Sequence, residues 1–485
     1  MRSIRQYLPA GLFFAALLMP ALSCLYSPAL KPFLLTRLHG GDTSTLEEEV
    51  RRTNPLWTGA LQLYSTTLYR FGISSNPNAA RIGLDGWVFL GNEHNENFAQ
   101  AIRQRVISND DASHWGEVLD DQRAWLKSQG IPSVFVFAPM KANIYPEKLP
   151  RWAQVMRYGK PSIFDMLQRH TGDELLDLRH ALIQNKQYGL TYSMLNSHWS
   201  DYGAYSAWQV VAKRLEKDIS GFKAYGTGPV VKINRTTYGN EFDAMVNIHV
   251  DNAWDVYSLA QPQPDIEMQQ ADGTWSSLHG DPATDVLDLP RHTRNPSATN
   301  NLKALVLRDS MGNSLSPFLQ GSFKETFQEH HHFFPGYSLN LPQLIETKKP
   351  DVVIYVMTER FDIEPLGNLY YWRSERNYRE SKADILPLKV TAGGSRVSLD
   401  TAFVLNDGIT KGGVLHLRLR SKSDTYVHLA YGAERARNEF YETVTRGWND
   451  LYFELPARPG NGVIDLTSPD GNVAEIQQAD FKPAG

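Results

Sequence analysis

Hydrophobic positions between about residues 60 and 380 fall into two textures. Three short runs, SVFVFAP (133–139), ALVLRDS (304–310) and DVVIYVM (351–357), are almost continuously β-branched, aliphatic or aromatic. That is the pattern of strands buried on both faces. Between them lie longer stretches with helical spacing. In HWGEVLDDQRAWLKSQG (114–130), Trp115, Val118, Leu119 and Trp125 share one face and Gly130 can close the end. Strand, helix and strand in repetition predict an α/β fold, a parallel sheet flanked by helices, in which ligands sit beyond the carboxyl ends of the strands.

The texture changes after about residue 385. GGVLHLRLRSK sets Leu415, Leu417 and Leu419 against His416, Arg418 and Arg420, and TYVHLAY alternates in the same way, as half-buried antiparallel strands do. Such strands, separated by DG, GG, RPGNG and SPDGN turns, predict a C-terminal β-sandwich of about a hundred residues. The polar stretch RSERNYRESKAD marks the boundary, giving one domain over 60–382 and a second over 386–485. No internal repeat or low-complexity tract interrupts either.

The N-terminus is different again. Arg2 and Arg5 precede the apolar run LPAGLFFAALLMPALSCLY, the basic flank and apolar centre of an export signal. Residues 1–27 are therefore expected to be a signal peptide or a retained membrane anchor, which places the chain in the periplasm or at its inner membrane. Ala21 and Ser23 offer a small-x-small cleavage site, and Cys24 is an alternative lipidation site. Since Cys24 is the only cysteine, no intrachain disulfide can form and the exported domains must hold by packing. At 485 residues there is ample material for that. A composition with 42% hydrophobic and 21% charged residues fits a soluble globular chain, and 49 basic against 53 acidic side chains, with no basic stripe, argue against nucleic acid as a partner.

Two stretches can carry chemistry. Ser310 stands at the end of ALVLRDS and before Met311-Gly312-Asn313, where a tight strand-to-helix turn would expose a nucleophilic hydroxyl. LNSHWSDYGAY (195–205) offers His198 as a base and Asn196 as the group that orients it. Each stretch also has a plain structural reading: Asp-Ser as a polar strand end, and Asn196 or Ser197 as a helix N-cap.

Taken together, GLDGWVFLGNE, FAPMKANIYPEKLP, LDLRHALIQNKQYGLTYSMLNSHWSDYGAY, ALVLRDSMGNS and KPDVVIYVMTERF resemble the alginate O-acetyltransferase family. These are permuted relatives of the SGNH hydrolases, in which the histidine block precedes the serine block as it does here. The resemblance implies an SGNH hydrolase-like fold, Ser310 as the acyl-accepting nucleophile, His198 as its general base and Asn196 at the position of the orienting aspartate. It implies no cofactor and no metal. Its partners would be a polysaccharide acceptor, a membrane-bound O-acyltransferase that delivers acetyl groups, and other exopolysaccharide export proteins. Trp199, Tyr337 and Arg360 are the expected substrate contacts, although Arg360 could equally form an ion pair with Glu359. Lys141 and Tyr145 are either groove residues or buried anchors.

The departure is at 196, because the family has Asp-x-His-Trp. An amide oxygen can hold the imidazole but adds no negative charge, and the same change in a serine-protease triad lowers turnover about 10⁴-fold. Asp201, three residues beyond the histidine, is the nearest substitute in sequence; Asp309 is not one, since the family also has an aspartate there. Three readings therefore stay open: a transferase, an acetyl esterase on the same triad, and a polysaccharide-binding or assembly protein that has lost catalysis. The backbone N–H groups of Ser310 and Met311 are the expected oxyanion donors, joined by one from Gly336, Tyr337 or Asn340 or from Thr358 to Arg360. The run His330 to His332 does not suit a metal, because neighbouring positions on a strand face opposite ways. In the C-terminal domain Tyr426, Tyr431, Tyr441 and Trp448 either fill the core or stack on sugar rings, as a carbohydrate-binding module would.

Overall fold

The structure, a computed structural model, describes residues 28–40, 49, 53–270, 272–278, 283–331, 341–361, 371–393, 401–406, 411–422, 425–431, 438–444, 446–457, 463–468 and 473–484. The export segment and Cys24 lie outside this set, as do Gly336, Tyr337, Asn340 and His332.

The three apolar runs are the centre of an eight-stranded sheet. Its parallel half runs in the order Leu175–Asp177, Ser133–Ala138, Val352–Thr358, Lys303–Arg308, Glu325–His330. Three antiparallel strands, Arg291–Arg294, Glu267–Gln269 and Trp275–Ser277, extend that edge. The sheet is thus mixed, where the sequence pattern suggested a purely parallel one. These outer strands are short and polar, so no buried-strand pattern announces them.

Both faces are covered, as the continuous apolar runs require. Val134, Val136, Ala304, Val306, Val352, Ile354 and Val356 join one core with Trp199, Trp208 and Phe318. Phe135, Phe137, Leu305, Leu307, Val353, Tyr355 and Met357 join the other with Trp115, Val118 and Leu119. The period of two along each strand sorts every second residue to one face. The helix expected at 114–130 begins earlier, at Asn109, because the Ser108 hydroxyl caps it by accepting from Asp111 N–H. It ends at Ser128, and Gly130, with φ of 76°, takes the left-handed conformation that closes the turn.

The C-terminal part packs a four-stranded against a five-stranded antiparallel sheet. Leu415, Leu417 and Leu419 are fully buried between them with Val427, Leu429, Tyr431, Phe453 and Leu466. Tyr431 is therefore a core residue, whereas Trp448 is 43% exposed with Arg418 over its ring. The side chains of Tyr426 and Tyr441 are outside the described set. RSERNYRESKAD is more than a linker: Tyr371–Glu380 is a helix laid on the sandwich. Its Tyr378 meets His416 and Tyr452, and the Tyr378 carbonyl accepts from Lys482 Nζ at 2.8 Å. Its cover buries His416, expected on the solvent side.

Candidate active site

Ser310 opens a 3-10 turn, Ser310–Gly312, at the carboxyl end of the Lys303–Arg308 strand. Glycine at 312 permits the close return, since a Cβ there would lie 2.2 Å from Arg308 Cδ. Arg308 cannot easily yield, because its fully buried guanidinium donates to Gln328 Oε1, Asn313 Oδ1 and the carbonyls of Thr284 and Asp309. Asp309 anchors the same turn from the other side. Its Oδ1 accepts Met311 N–H at 2.8 Å, and its Oδ2 accepts Thr358 N–H at 2.7 Å and the Thr358 hydroxyl at 2.6 Å, with His331 Nε2 at 3.2 Å. Burial alone would raise its pKa; the bonds from His331 and Thr358 overcome that and hold the carboxyl well below the usual range. Asp309 is thus the anchor of the turn. Because Met311 N–H and Thr358 N–H are both spent on it, Ser310 N–H is left as the oxyanion donor expected from this turn.

The histidine sits in a loop held from several sides. Tyr192 and Trp199 pair as an antiparallel bridge, and Ser200 N–H donates to Thr191 O at 3.1 Å. Ser200, not Asn196 or Ser197, is the N-cap of the following helix, Asp201–Asp218. That leaves Asn196 free for another task. Gly203 in this helix meets Thr191 closely enough that a Cβ would lie 2.0 Å from its carbonyl oxygen. Gly203→Ala is therefore expected to push the helix off the loop and cost about 1–3 kcal/mol, the usual range for overpacking, read by urea unfolding.

Lys141 and Tyr145 are the buried anchors of this loop. Lys141 Nζ donates to the carbonyls of Ser193, Met194 and Asn196 at 3.2, 3.1 and 2.9 Å, among the rings of Trp87, Phe89 and Phe242. The Tyr145 oxygen accepts Thr191 N–H at 3.1 Å. Asn252 Oδ1 takes Leu195 N–H at 3.0 Å and also the Ser193 hydroxyl.

These supports bring the three residues together. His198 Nε2 lies 2.7 Å from Ser310 Oγ, and His198 Nδ1 lies 2.7 Å from Asn196 Oδ1. The Asn196 oxygen also accepts the backbone N–H of His198 at 2.9 Å. A backbone N–H can only donate, so the atom facing it must be the amide oxygen and not the nitrogen. The same oxygen then accepts from Nδ1–H, which leaves the Nε2 lone pair aimed at Ser310. Asn196 thus sets the base tautomer, the part of the aspartate's task that needs no charge.

A carboxylate is nevertheless present. Glu241, 44 residues beyond Ser197, accepts Ser197 N–H at 2.5 Å and the Ser197 hydroxyl at 2.9 Å, and its Oε2 is 3.7 Å from His198 Nδ1. Burial would raise its pKa, but His198 and the two bonds from Ser197 bring it down to about 2. Sequence reasoning missed this residue because GNEFDAM has neither motif nor periodicity. Its only signal was indirect: a site with asparagine at 196 lacks a negative charge.

The remaining residues distribute as follows. Trp199 is 1% exposed, so it is not a substrate contact; its indole donates to Met311 O at 3.0 Å and ties the histidine loop to the serine turn. Asp201 accepts the Ser314 hydroxyl at 2.8 Å. It is engaged there and does not replace an aspartate at 196. Glu359 is spent on Met140 N–H and the Asn143 amide, at 3.0 and 2.6 Å. Arg360 borders a cavity of about 20 Å³, room for one water, with Asn97, Ser197, Met311 and Thr358. A larger groove, of about 490 Å³, runs past Asp201 and Ser314 and is walled by Tyr225, Tyr257, Pro262 and Pro317. Tyr337 is outside the described residues. Among the described residues no group of three or more His, Cys, Asp or Glu converges as a metal site.

Residues 80–287 match the family model described as the SGNH hydrolase-like domain of acetyltransferase AlgX. Over this region the chain is similar to AlgX-like acetyltransferases. The AlgX-like stretch holds Asn196, His198 and Glu241 and stops short of Ser310. Over 141 residues, 28% of its length, the chain is 31% identical to the probable alginate O-acetylase AlgJ of Pseudomonas aeruginosa. The matched part spans about a third of AlgJ's length, 32%. The solved structure of Pseudomonas aeruginosa AlgX is similar over 88% of this chain and 99% of its own, with a TM-score of 0.51 and 14% identity. That likeness is one of fold, and it extends beyond the AlgX-like domain into the C-terminal sheets. Among the described residues no helix is long and apolar enough to cross a membrane.

Proposed function

We propose that this chain is a serine-dependent O-acetyltransferase acting on hydroxyls of an exported, alginate-like polysaccharide in the periplasm. One observation carries the reading: Ser310 Oγ lies 2.7 Å from the Nε2 of a histidine whose other nitrogen is held by Asn196. In the first half-reaction Nε2 takes the Ser310 proton as Oγ attacks the donor's acetyl carbonyl, then returns it to the departing group. In the second, a sugar hydroxyl attacks the acetyl-serine, its proton passing to Nε2 and from there to the Ser310 oxygen as the ester breaks. The groove lined by Ser314 and Asp201, with tyrosine and proline walls, gives a sugar chain a place to lie. Similarity to the AlgX acetyltransferase domain supports acetyl transfer, and the name of the AlgJ relative supports alginate as the first acceptor to test. A membrane-bound O-acyltransferase is the donor this reading calls for, with export proteins of the same polysaccharide as further partners.

The test is to incubate the protein with an acetyl ester and an oligosaccharide acceptor and to follow both by mass. Acetyl on the Ser310 peptide and then on the sugar is the expected result. Acetate alone would make the protein an esterase, and neither product would leave a binding or assembly role.

A further inference from the structure

We infer that Glu241 supplies the negative charge that Asn196 lacks, so that the orienting and the electrostatic tasks of one aspartate are divided here between two residues. The inference rests on the proposed serine chemistry and names a positioning residue for it. During acyl transfer the imidazole of His198 becomes an imidazolium, and what stabilises it is an anion on the Nδ1 side. Asn196 accepts the Nδ1–H but is neutral. Glu241 Oε2, at 3.7 Å from the same nitrogen, is the one carboxylate placed within 4 Å of the ring among the described residues. Asp201 is held by Ser314, and Asp309 by Met311, Thr358 and His331.

Glu241 is also held in place. Both its oxygens take hydrogens from Ser197, the residue between Asn196 and His198, and its own N–H donates to Leu195 O at 3.2 Å. The carboxylate therefore moves with the loop it serves. The cations Lys141 and Arg360 both act on it electrostatically and favour its ionised form. Its side chain is 24% exposed and that of His198 25%. Solvent accordingly weakens the interaction relative to a buried triad aspartate.

The test is a mutant cycle on a chromogenic acetyl ester. Glu241→Gln keeps the shape and partners at Ser197 and is expected to lower kcat/KM about 10- to 100-fold, less than the ~10⁴ seen when a triad aspartate is neutralised. It should also move the acidic limb of the kcat/KM profile to lower pH, because the imidazolium loses its counter-charge. The charged groups acting on Glu241, Lys141 and Arg360, are unchanged in every variant. Asn196→Asp alone should gain less than about fivefold, whereas in the Glu241→Gln background it should restore activity to within a few-fold of wild type. Restoration also shows that the Glu241→Gln chain folds. An unaltered rate and profile in Glu241→Gln, or a gain of about 10³ or more from Asn196→Asp alone, would overturn the inference.

The serine chemistry can fail separately, as it would if wild type turned over no faster than Ser310→Ala. The Glu241 assignment is then judged by NMR titration of the His198 ring in Ser310→Ala protein, which needs no turnover. A midpoint that falls when Glu241→Gln is added supports it, and an unmoved midpoint refutes it.

Discussion

Ser310→Ala is expected to reduce acetyl-ester turnover by about 10⁴-fold or more, to the level left by oxyanion contacts and binding alone. The size follows from the geometry: on the proposed mechanism this hydroxyl bonds to the acetyl group, and among the described residues no other hydroxyl lies within 3 Å of His198 Nε2. His198→Ala should cost a similar factor, and the double variant little more than either, because the two act as one unit. The fold should be indifferent. Ser310 is half-buried and its side chain carries none of the bonds that hold the turn, which run through Asp309 and Arg308. Equal unfolding midpoints beside unequal rates would separate chemistry from stability. A Ser310→Ala variant as fast as wild type would end the acyl-serine reading.

The parts of this molecule that could be read in its sequence are those governed by local repetition. Continuous apolar runs gave away the strands at 133–139, 304–310 and 351–357, because a strand buried on both faces has no room for polar alternation. Leu415, Leu417 and Leu419 declared a half-buried strand in the same way. The antiparallel edge carried no such mark: RHTR and EMQ contain no apolar run, and RHTR becomes a strand by pairing with Glu325–His330 and EMQ by pairing in turn with RHTR. The start of the Asn109–Ser128 helix was hidden too, since its cap is one serine in a polar stretch.

The site divides along the same line. Ser310, His198 and Asn196 stood out because each lies in a short motif, and the order of the motifs supplied a family resemblance. Trp199 was expected as a substrate contact, whereas burial and one hydrogen bond to Met311 make it a brace. Glu241 could not be found by any local rule, since its meaning comes from a contact made across 44 residues of chain. The same holds for Lys141, whose three acceptors all lie more than fifty residues away.

That lysine carries the largest effect expected on stability. Lys141→Met keeps the apolar stem among Trp87, Phe89 and Phe242 but removes the donor from three buried carbonyls, each costing about 1–3 kcal/mol when orphaned. Against this stands relief from burying a charge: burial pushes the ammonium pKa down to about 7, with the charge of Glu241 opposing. Near pH 9, where most of the cost of the buried charge has already been shed, the lost bonds outweigh what remains of it, and a net loss of about 3 kcal/mol is expected in urea unfolding. The relief has its own signature. A folded pKa below the unfolded value of 10.5 means that the unfolded chain holds a proton the folded protein has released. Stability from this group is therefore full above that value and falls as pH drops toward 7. Wild type should accordingly gain stability between about pH 7 and pH 9, and Lys141→Met should lose that slope. Turnover should fall with it by about tenfold or more, because the freed Asn196 carbonyl lets the loop shift and a displacement of about 1 Å at the base is enough for such a loss. A variant with unchanged stability and a retained slope would show that the loop is held by Tyr145 and Asn252 without help from the lysine.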